Sequence, residues 1–136
     1  MLDWLKKWER PYLKVLQSSF NMSDKKITIQ EIKDLMESFV KERDWQQFHK
    51  SKNLSMALSV EASELVELFQ WLENEEAEQM MKNNDFRSKA IDEIADILLY
   101  VIAFANRNDI DISEAIKQKI KKNKKKYPTD KFKGRF

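Results

Sequence analysis

The stretch that decides the fold is IDEIADILLYVIAFA, residues 91–105. Its apolar side chains recur at helical spacing, but they cover almost every direction around the helix axis instead of forming one stripe. A helix that is apolar all round is buried on all sides, and the rest of one short chain can hardly surround it. The sequence therefore predicts that this helix lies between the subunits of an oligomer.

The composition also favours an all-α protein. The 136 residues include one Gly and two Pro, whereas sheets need tight turns that use these residues. The absence of Cys excludes disulfides and thiolate metal sites and favours a reducing cytosol, so we expect a cytoplasmic protein. No apolar run approaches the roughly 18 residues of a membrane span. With 42% apolar and 35% charged residues, the chain fits a globular domain with a real core.

Capping signals and periodicity predict four helices. Thr28 with Glu31, and Asp111 with Glu114, match the capping box that opens a helix, and Asp85 is a candidate cap for the third helix. The predicted helices cover residues 29–43, 54–72 with a more polar continuation to 81, 86–106, and 112–127.

These helices define a domain over residues 22–128, which is flanked by two short segments. Residues 1–21 form an amphipathic extension that is either a docking arm, an interfacial helix or a poorly ordered tail. Residues 129–136 form a basic C-terminal tail. The domain itself is expected to be a four-helix bundle-like subunit.

Two acidic motifs interrupt the apolar helix faces. Glu61 and Glu64 lie three residues apart on the second helix, and Glu93 and Asp96 repeat this spacing on the third. Residues at this spacing share a helix face, and an unpaired buried carboxylate costs several kcal/mol. The alternatives are a solvated acidic face and a site for a hard cation, Mg²⁺ or Mn²⁺, held by carboxylate oxygens. A single His argues against zinc, and also against a di-iron bundle with its two Glu-x-x-His pairs.

The order of the motifs resembles the MazG-like superfamily of all-α nucleotide pyrophosphohydrolases, over about residues 28–128. Four stretches carry the resemblance, and they look like the dCTP pyrophosphatase branch in content and order. These stretches are FVKERDWQQFHKSKNL (39–54), EASELVELFQW (61–71), DEIADILLYV (92–101) and NKKKYP (123–128).

The resemblance implies a Mg²⁺-dependent enzyme that hydrolyses dCTP, or a modified dCTP, to the monophosphate and pyrophosphate, in nucleotide-pool sanitation. It implies assembly as a homodimer or homotetramer. Glu61, Glu64, Glu93 and Asp96 would be the metal ligands. Apart from the resemblance, we expect one of the motif acids, Glu61 or Glu64, to act as general base. The positions that match substrate-binding residues are Trp45, Trp71, Tyr100 and Asn123 for the base, and Lys119 and Lys126 for the phosphates. Met36 stands where some relatives place a His near the substrate, which leaves the base preference open.

The run KQKIKKNKKK, residues 117–126, leaves other functions open because it holds seven Lys. It could bind nucleic acid through counterion release, which would make the chain a non-enzymatic helical binding or assembly module. The lack of interleaved aromatic residues argues against this interpretation. A third alternative is the same chemistry on another dNTP.

Overall fold

The computed structural model describes residues 23–135, which form six α-helices and no strand. The all-α class predicted from the sequence is therefore confirmed. The predicted extension over residues 1–21 lies outside the described part of the chain. A 3₁₀ turn at Trp45–Gln47 connects the first two helices. The helices are α1 (Ile29–Glu42), α2 (Ser51–Phe69), α3 (Asn74–Met80), α4 (Asn84–Arg107), α5 (Ile112–Lys126) and α6 (Thr129–Phe132).

Local side-chain contacts start two of the helices as predicted. At α1 the Thr28 hydroxyl accepts a hydrogen bond from the Glu31 N–H, and the Glu31 carboxylate accepts one from the Thr28 N–H at 2.7 Å. This second bond is the main reason why the pKa of Glu31 is lowered. At α5 only half of the box forms. Asp111 accepts from the Glu114 N–H at 2.8 Å, while the Glu114 carboxylate accepts from Gln118 at 2.6 Å and does not reach back to the cap.

The predicted continuation of the second helix to residue 81 is wrong. The chain leaves the helix after Phe69, and a separate helix, α3, begins at Asn74. Glu73 starts it as the first residue of a capping box with Glu76, in which the Glu73 N–H donates to the Glu76 carboxylate at 3.0 Å. With this break and the short α6, the described residues hold six helices where four were expected.

The predicted cap of α4 is also wrong by two residues. The Asn83 side chain caps the helix by accepting from the Phe86 N–H at 3.0 Å. Asp85 lies in the first turn, where its negative charge interacts favourably with the helix dipole.

The core lies where α1 and the start of α2 pack against the C-terminal half of α4. The buried cluster consists of Met36, Val40, Leu54, Ile102 and Ala103. Leu54 is the most enclosed of these side chains at 2% exposure, and burying a leucine contributes about 1.5–3 kcal/mol.

Helices α2 and α4 run antiparallel along most of their length. The start of α2 meets the end of α4 in the core, and Ser51 Oγ donates to Asn108 Oδ1 at 2.9 Å. At the opposite end, the rings of Phe69 and Phe86 meet edge to face with centroids 5.2 Å apart. Residues in the middle of α2 therefore face residues in the N-terminal half of α4.

The turn between α4 and α5 is clamped by α1. The Lys33 ammonium donates to the Ile110 carbonyl at 3.0 Å, and the Asn106 amide donates back to the Lys33 carbonyl at 2.8 Å. Asp109 adopts a φ of 52°, in the left-handed region that Asp tolerates better than most residues. These contacts fix the direction in which α5 leaves the domain.

Several apolar side chains of the subunit remain exposed. On α4 they lie in the N-terminal two thirds of the helix and comprise Ile91, Ile94, Leu98 and Leu99. On α5, Ile116 and Ile120 are about half exposed. This distribution is what the prediction of a helix between subunits requires, and the oligomer itself stays a prediction. No helix in residues 23–135 combines the length and hydropathy of a membrane-spanning segment.

Candidate metal centre

Three of the four predicted ligands come together where α2 and α4 face each other. Glu61 and Glu64 of α2 and Glu93 of α4 each offer a carboxylate oxygen, and these oxygens all lie within 4.8 Å of one another. Oxygens on opposite sides of a Mg²⁺ ion, with bonds of about 2.1 Å, lie about 4.2 Å apart. The three acids are therefore close enough to share one cation.

The electrostatics of the cluster show what the acids lack. Burial is the largest cause that raises the pKa of Glu61, followed by the charges of Glu64, Asp96 and Glu93. Burial also raises the pKa of Glu93, and the charges of Glu64, Asp96 and Asp92 add to this. All of these causes disfavour ionisation, so a positive charge among the acids would relieve them.

Glu93 carries the most specific sign of a missing partner. Its Oε2 atom is buried and has no hydrogen-bond partner among residues 23–135. A hydrogen bond with Glu64 also raises the pKa of Glu93, but it requires a proton on one of the two acids. When both acids are ionised, Oε2 has no partner, which is costly unless a cation binds it. An all-oxygen set of carboxylates fits Mg²⁺ or Mn²⁺.

Asp96 lies near the cluster without joining it. Its side chain is exposed, and its oxygens are not among those within 4.8 Å of one another. Its charge nevertheless raises the pKa of both Glu61 and Glu93. An aspartate is one methylene shorter than a glutamate, so it reaches less far from the helix. Its role as fourth ligand stays a prediction.

The predicted base-binding residues differ in their surroundings. Trp71 lies two residues beyond the end of α2 and is 86% exposed. Trp45 is 42% exposed and packs edge to face on Phe39. Tyr100 is half-buried and packs against the core cluster. It follows Asp96 by one helical turn, so both lie on the same face of α4.

A cavity that the sequence did not reveal lies farther along α4. Ala103 follows Glu93 by ten residues, or about 15 Å of helix, and contributes to a cavity of about 210 Å³. Burial lowers the pKa of His49 in its wall, against an opposing effect of the Glu37 charge. The other lining residues are Met36, Val40, Gln46, Asn106 and Arg107. Periodicity placed Met36 and Val40 on the first helix, but it gave no register between α1 and α4.

The predicted phosphate-binding lysines lie on α5. Lys119, Asn123 and Lys126 follow one another at spacings of four and three, so they share a face, and all three are exposed. Lys119 borders an apolar groove between α4 and α5, and the Lys126 ammonium lies 5.1 Å from the Tyr127 ring centroid. Within residues 23–135, neither lysine forms an ion pair with an acid.

The fold of this chain is similar to that of a solved relative. The crystal structure of a pyrophosphatase from Archaeoglobus fulgidus DSM 4304 matches this chain with a TM-score of 0.69 and 34% sequence identity. The match covers 73% of this chain and 91% of that one. The chain thus has a pyrophosphatase fold.

The sequence comparisons then give the family. A family model described as "MazG-like family" matches residues 56–135. Two proteins named dCTP pyrophosphatase 1 are each 38% identical, the one from Bos taurus over 107 residues and the one from Homo sapiens over 101. The aligned residues make up 79% and 74% of this chain, and 63% and 59% of those relatives, so the chain spans less than two thirds of their length. The chain belongs to the MazG-like family, which confirms the resemblance carried by its motifs.

Proposed function

We propose that this protein is a Mg²⁺-dependent nucleoside triphosphate pyrophosphohydrolase, and that dCTP or a modified dCTP is its preferred substrate. The observation that carries the proposal is the three-acid cluster with the unpartnered Oε2 of Glu93, in a MazG-like chain. The relatives named dCTP pyrophosphatase 1 support the choice of dCTP. In a cell the reaction would serve nucleotide-pool sanitation, and we propose a cytoplasmic location.

The acids would hold the cation and one of them would move a proton. Glu61, Glu64 and Glu93, with Asp96 nearby, would hold Mg²⁺, which would neutralise phosphate charge and lower the pKa of bound water. Glu61 or Glu64 would accept the proton of the attacking water.

The reaction adds one water across the bond between the α- and β-phosphates. The oxygen of the water is retained in one product, the anhydride bond breaks, and dCMP and pyrophosphate leave. Trp45 and Trp71 would stack on the base, since stacking a base on an aromatic ring is worth about 1–3 kcal/mol. Tyr100 and Asn123 would contact the nucleoside, and Lys119 and Lys126 the phosphates.

We further propose that the site is completed in a homodimer or homotetramer. The exposed apolar side chains of α4, such as Leu98 at 53% exposure, need a covering surface. Lys119 and Lys126 form no ion pair with an acid of residues 23–135, and we propose that they serve the acid cluster of a neighbouring subunit.

The test is pyrophosphate release by the purified full chain with Mg²⁺, across the eight canonical nucleotides and 5-methyl-dCTP. We expect the highest kcat/KM for dCTP or 5-methyl-dCTP, and no release with excess EDTA. If no nucleotide in the panel gives Mg²⁺-dependent pyrophosphate, the proposed function is wrong. A different preferred dNTP would retain the chemistry and change the substrate.

The exposed lysines of α5 support one alternative, a non-enzymatic module that binds nucleic acid. In residues 117–126 the side chains are exposed, and seven of them are Lys. A gel shift that weakens steeply with salt, in a protein that releases no pyrophosphate, would favour this alternative.

A further inference from the structure

Three side chains at the end of α1 form a stack outside the acid cluster. The guanidinium carbon of Arg43 lies 3.7 Å from the centroid of the Phe39 ring. The Phe39 and Trp45 rings are nearly perpendicular, with an angle of 76° and centroids 5.7 Å apart. Arg43 also lies 6.0 Å from the Trp45 ring. The contact of Arg43 with Phe39 is a favourable cation–π geometry, and the contact of Phe39 with Trp45 is a favourable edge-to-face aromatic pair.

The backbone between these residues folds Trp45 back onto α1. Asp44 has a φ of 52°, so the chain reverses directly after the helix. The Gln47 amide donates to the Asp44 carbonyl at 3.1 Å and to its carboxylate at 3.3 Å. The Trp45 carbonyl then accepts from the N–H groups of Phe48 and His49. The position of the indole is therefore determined by the turn as well as by the ring contact.

Arg43 is itself held in place. Its Nη1 donates to the Phe39 carbonyl at 3.0 Å and lies 3.5 Å from a Glu42 carboxylate oxygen. A guanidinium fixed in this way covers the Phe39 ring and limits its rotation. Phe39 is itself 42% exposed, so the guanidinium covers a ring that the core does not enclose.

We infer that Arg43 and Phe39 are positioning residues, which hold the Trp45 indole in the orientation that stacks on the substrate base. This inference rests on the proposed function. A side chain that is ordered before binding loses less entropy when the substrate binds. Losing this order should therefore weaken substrate affinity more than it slows turnover. Arg43→Met and Phe39→Leu are expected to raise the KM for dCTP about 3- to 10-fold, from the usual cost of ordering one side chain. The expected change in kcat is less than about twofold, because the acid cluster is unchanged.

The decisive experiment compares dCTP with 2-deoxyribose 5-triphosphate, which has the same phosphates and sugar but no base. Arg43→Met and Phe39→Leu should weaken dCTP hydrolysis and leave the base-free substrate unaffected. Arg87→Met, which removes an exposed arginine elsewhere, should affect neither substrate. Phe39→Tyr keeps the aromatic ring, so its KM for dCTP should match that of the wild type. Equal losses on both substrates, or an unchanged KM for dCTP, would overturn the inference.

A second readout reports on the indole itself. In protein labelled with 5-fluorotryptophan, the ¹⁹F resonance of Trp45 is assigned by its loss in Trp45→Phe. We expect this resonance to shift or broaden in Arg43→Met and to stay unchanged in Arg87→Met, with the same helical circular dichroism in both. An unchanged resonance would show that Arg43 does not position the ring, whether or not the variant folds as stably.

The two proposals fail in different ways. A wild-type protein that hydrolyses no nucleotide defeats the proposed function. If the wild-type protein hydrolyses dCTP and the base-free triphosphate equally well, the proposed hydrolysis stands but the positioning role of Arg43 and Phe39 is wrong.

Discussion

The two halves of α4 differ in what they bury. In the C-terminal half, Ile102, Ala103 and Ala105 pack into the interior, where they contribute to stability. In the N-terminal half, Glu93 is enclosed with an unpartnered oxygen, while neighbouring apolar side chains stay exposed. The C-terminal half contributes three side chains to the interior, whereas the N-terminal half carries the acid that needs a cation; exposed apolar side chains such as Ile94 and Leu98 occur in both halves. The core residues and the acid of the candidate site therefore occupy different segments of one helix.

The largest effect is expected for Glu93→Gln, which changes the acid in the N-terminal half of α4. Loss of a ligand charge should reduce Mg²⁺-dependent pyrophosphate release by at least about 100-fold, since even residues that only support metal ligands are worth about 10- to 100-fold. Far-UV circular dichroism should show unchanged helix content. Asp92→Asn is the matched control. It removes the negative charge of the adjacent exposed residue and should keep most of the activity. Full turnover by Glu93→Gln would remove this residue from the ligand set.

The core half is tested by Leu54→Ala. The cavity left by this buried side chain should lower the free energy of unfolding by about 2–5 kcal/mol, measured by urea denaturation. Met56→Ala, at a side chain that is 59% exposed, should change it by less than about 0.5 kcal/mol. The kcat of folded Leu54→Ala protein should stay close to that of the wild type. A large loss of kcat would show that the two halves are coupled.

The pH dependence of the metal-free protein sharpens the comparison further. The pKa values of Glu61 and Glu93 are raised in the folded state above the ordinary 4.5, so the folded chain binds more protons than the unfolded chain in that window. The contribution of these two carboxylates to the free energy of unfolding therefore falls as the pH rises from about 4.5 through their raised pKa values.

We expect Glu61→Gln/Glu93→Gln to have a higher Tm than the wild type in EDTA at about pH 7.5, and to lose this advantage near pH 4.5. Saturating Mg²⁺, at about 100 times its Kd, should stabilise the wild type by about 2.7 kcal/mol and leave the double variant unchanged. Thermal unfolding monitored by circular dichroism measures both effects. A double variant that Mg²⁺ still stabilises would place the cation elsewhere.

The smallest expected effect is at the N-terminus of α4. Asn83→Ala removes the cap on the Phe86 N–H and should cost about 1 kcal/mol of unfolding free energy. Asn84→Ala, inside the first turn, is the matched control and should cost less. Equal costs for the two changes would mean that the cap does not stabilise this end of the helix.

Local sequence rules predicted much of this architecture. The spacing of Glu61 and Glu64 on one helix, and the apolar run around Glu93 on another, made a cation site one of two alternatives, the other being a solvated acidic face. The capping box at Thr28 defined the start of α1. These features depend on residues only a few positions apart, so a pattern in the sequence specifies them.

The missed features depend on competition or on long-range contacts. No Gly or Pro marks the end of α2, and Glu73 is a helix former that here acts as a cap, so the pattern looked continuous. Asn83 and Asp85 are both good caps, and local rules do not choose between them. The contact of Trp45 with Phe39 follows from the left-handed conformation of Asp44, which the sequence alone did not indicate.

The clamp of α1 on the turn before α5 has a mechanical consequence. Helix α5 leaves this turn as a rod about 22 Å long, with its lysines toward the far end. A rotation of about 10° at the turn would swing Lys126 through about 4 Å, on the length that the helical rise gives. The angle at which α5 projects is thus set by two hydrogen bonds, that of Lys33 with Ile110 and that of Asn106 with Lys33. A change in two contacts far from the acids would then move the lysine end of α5 by more than the length of a hydrogen bond.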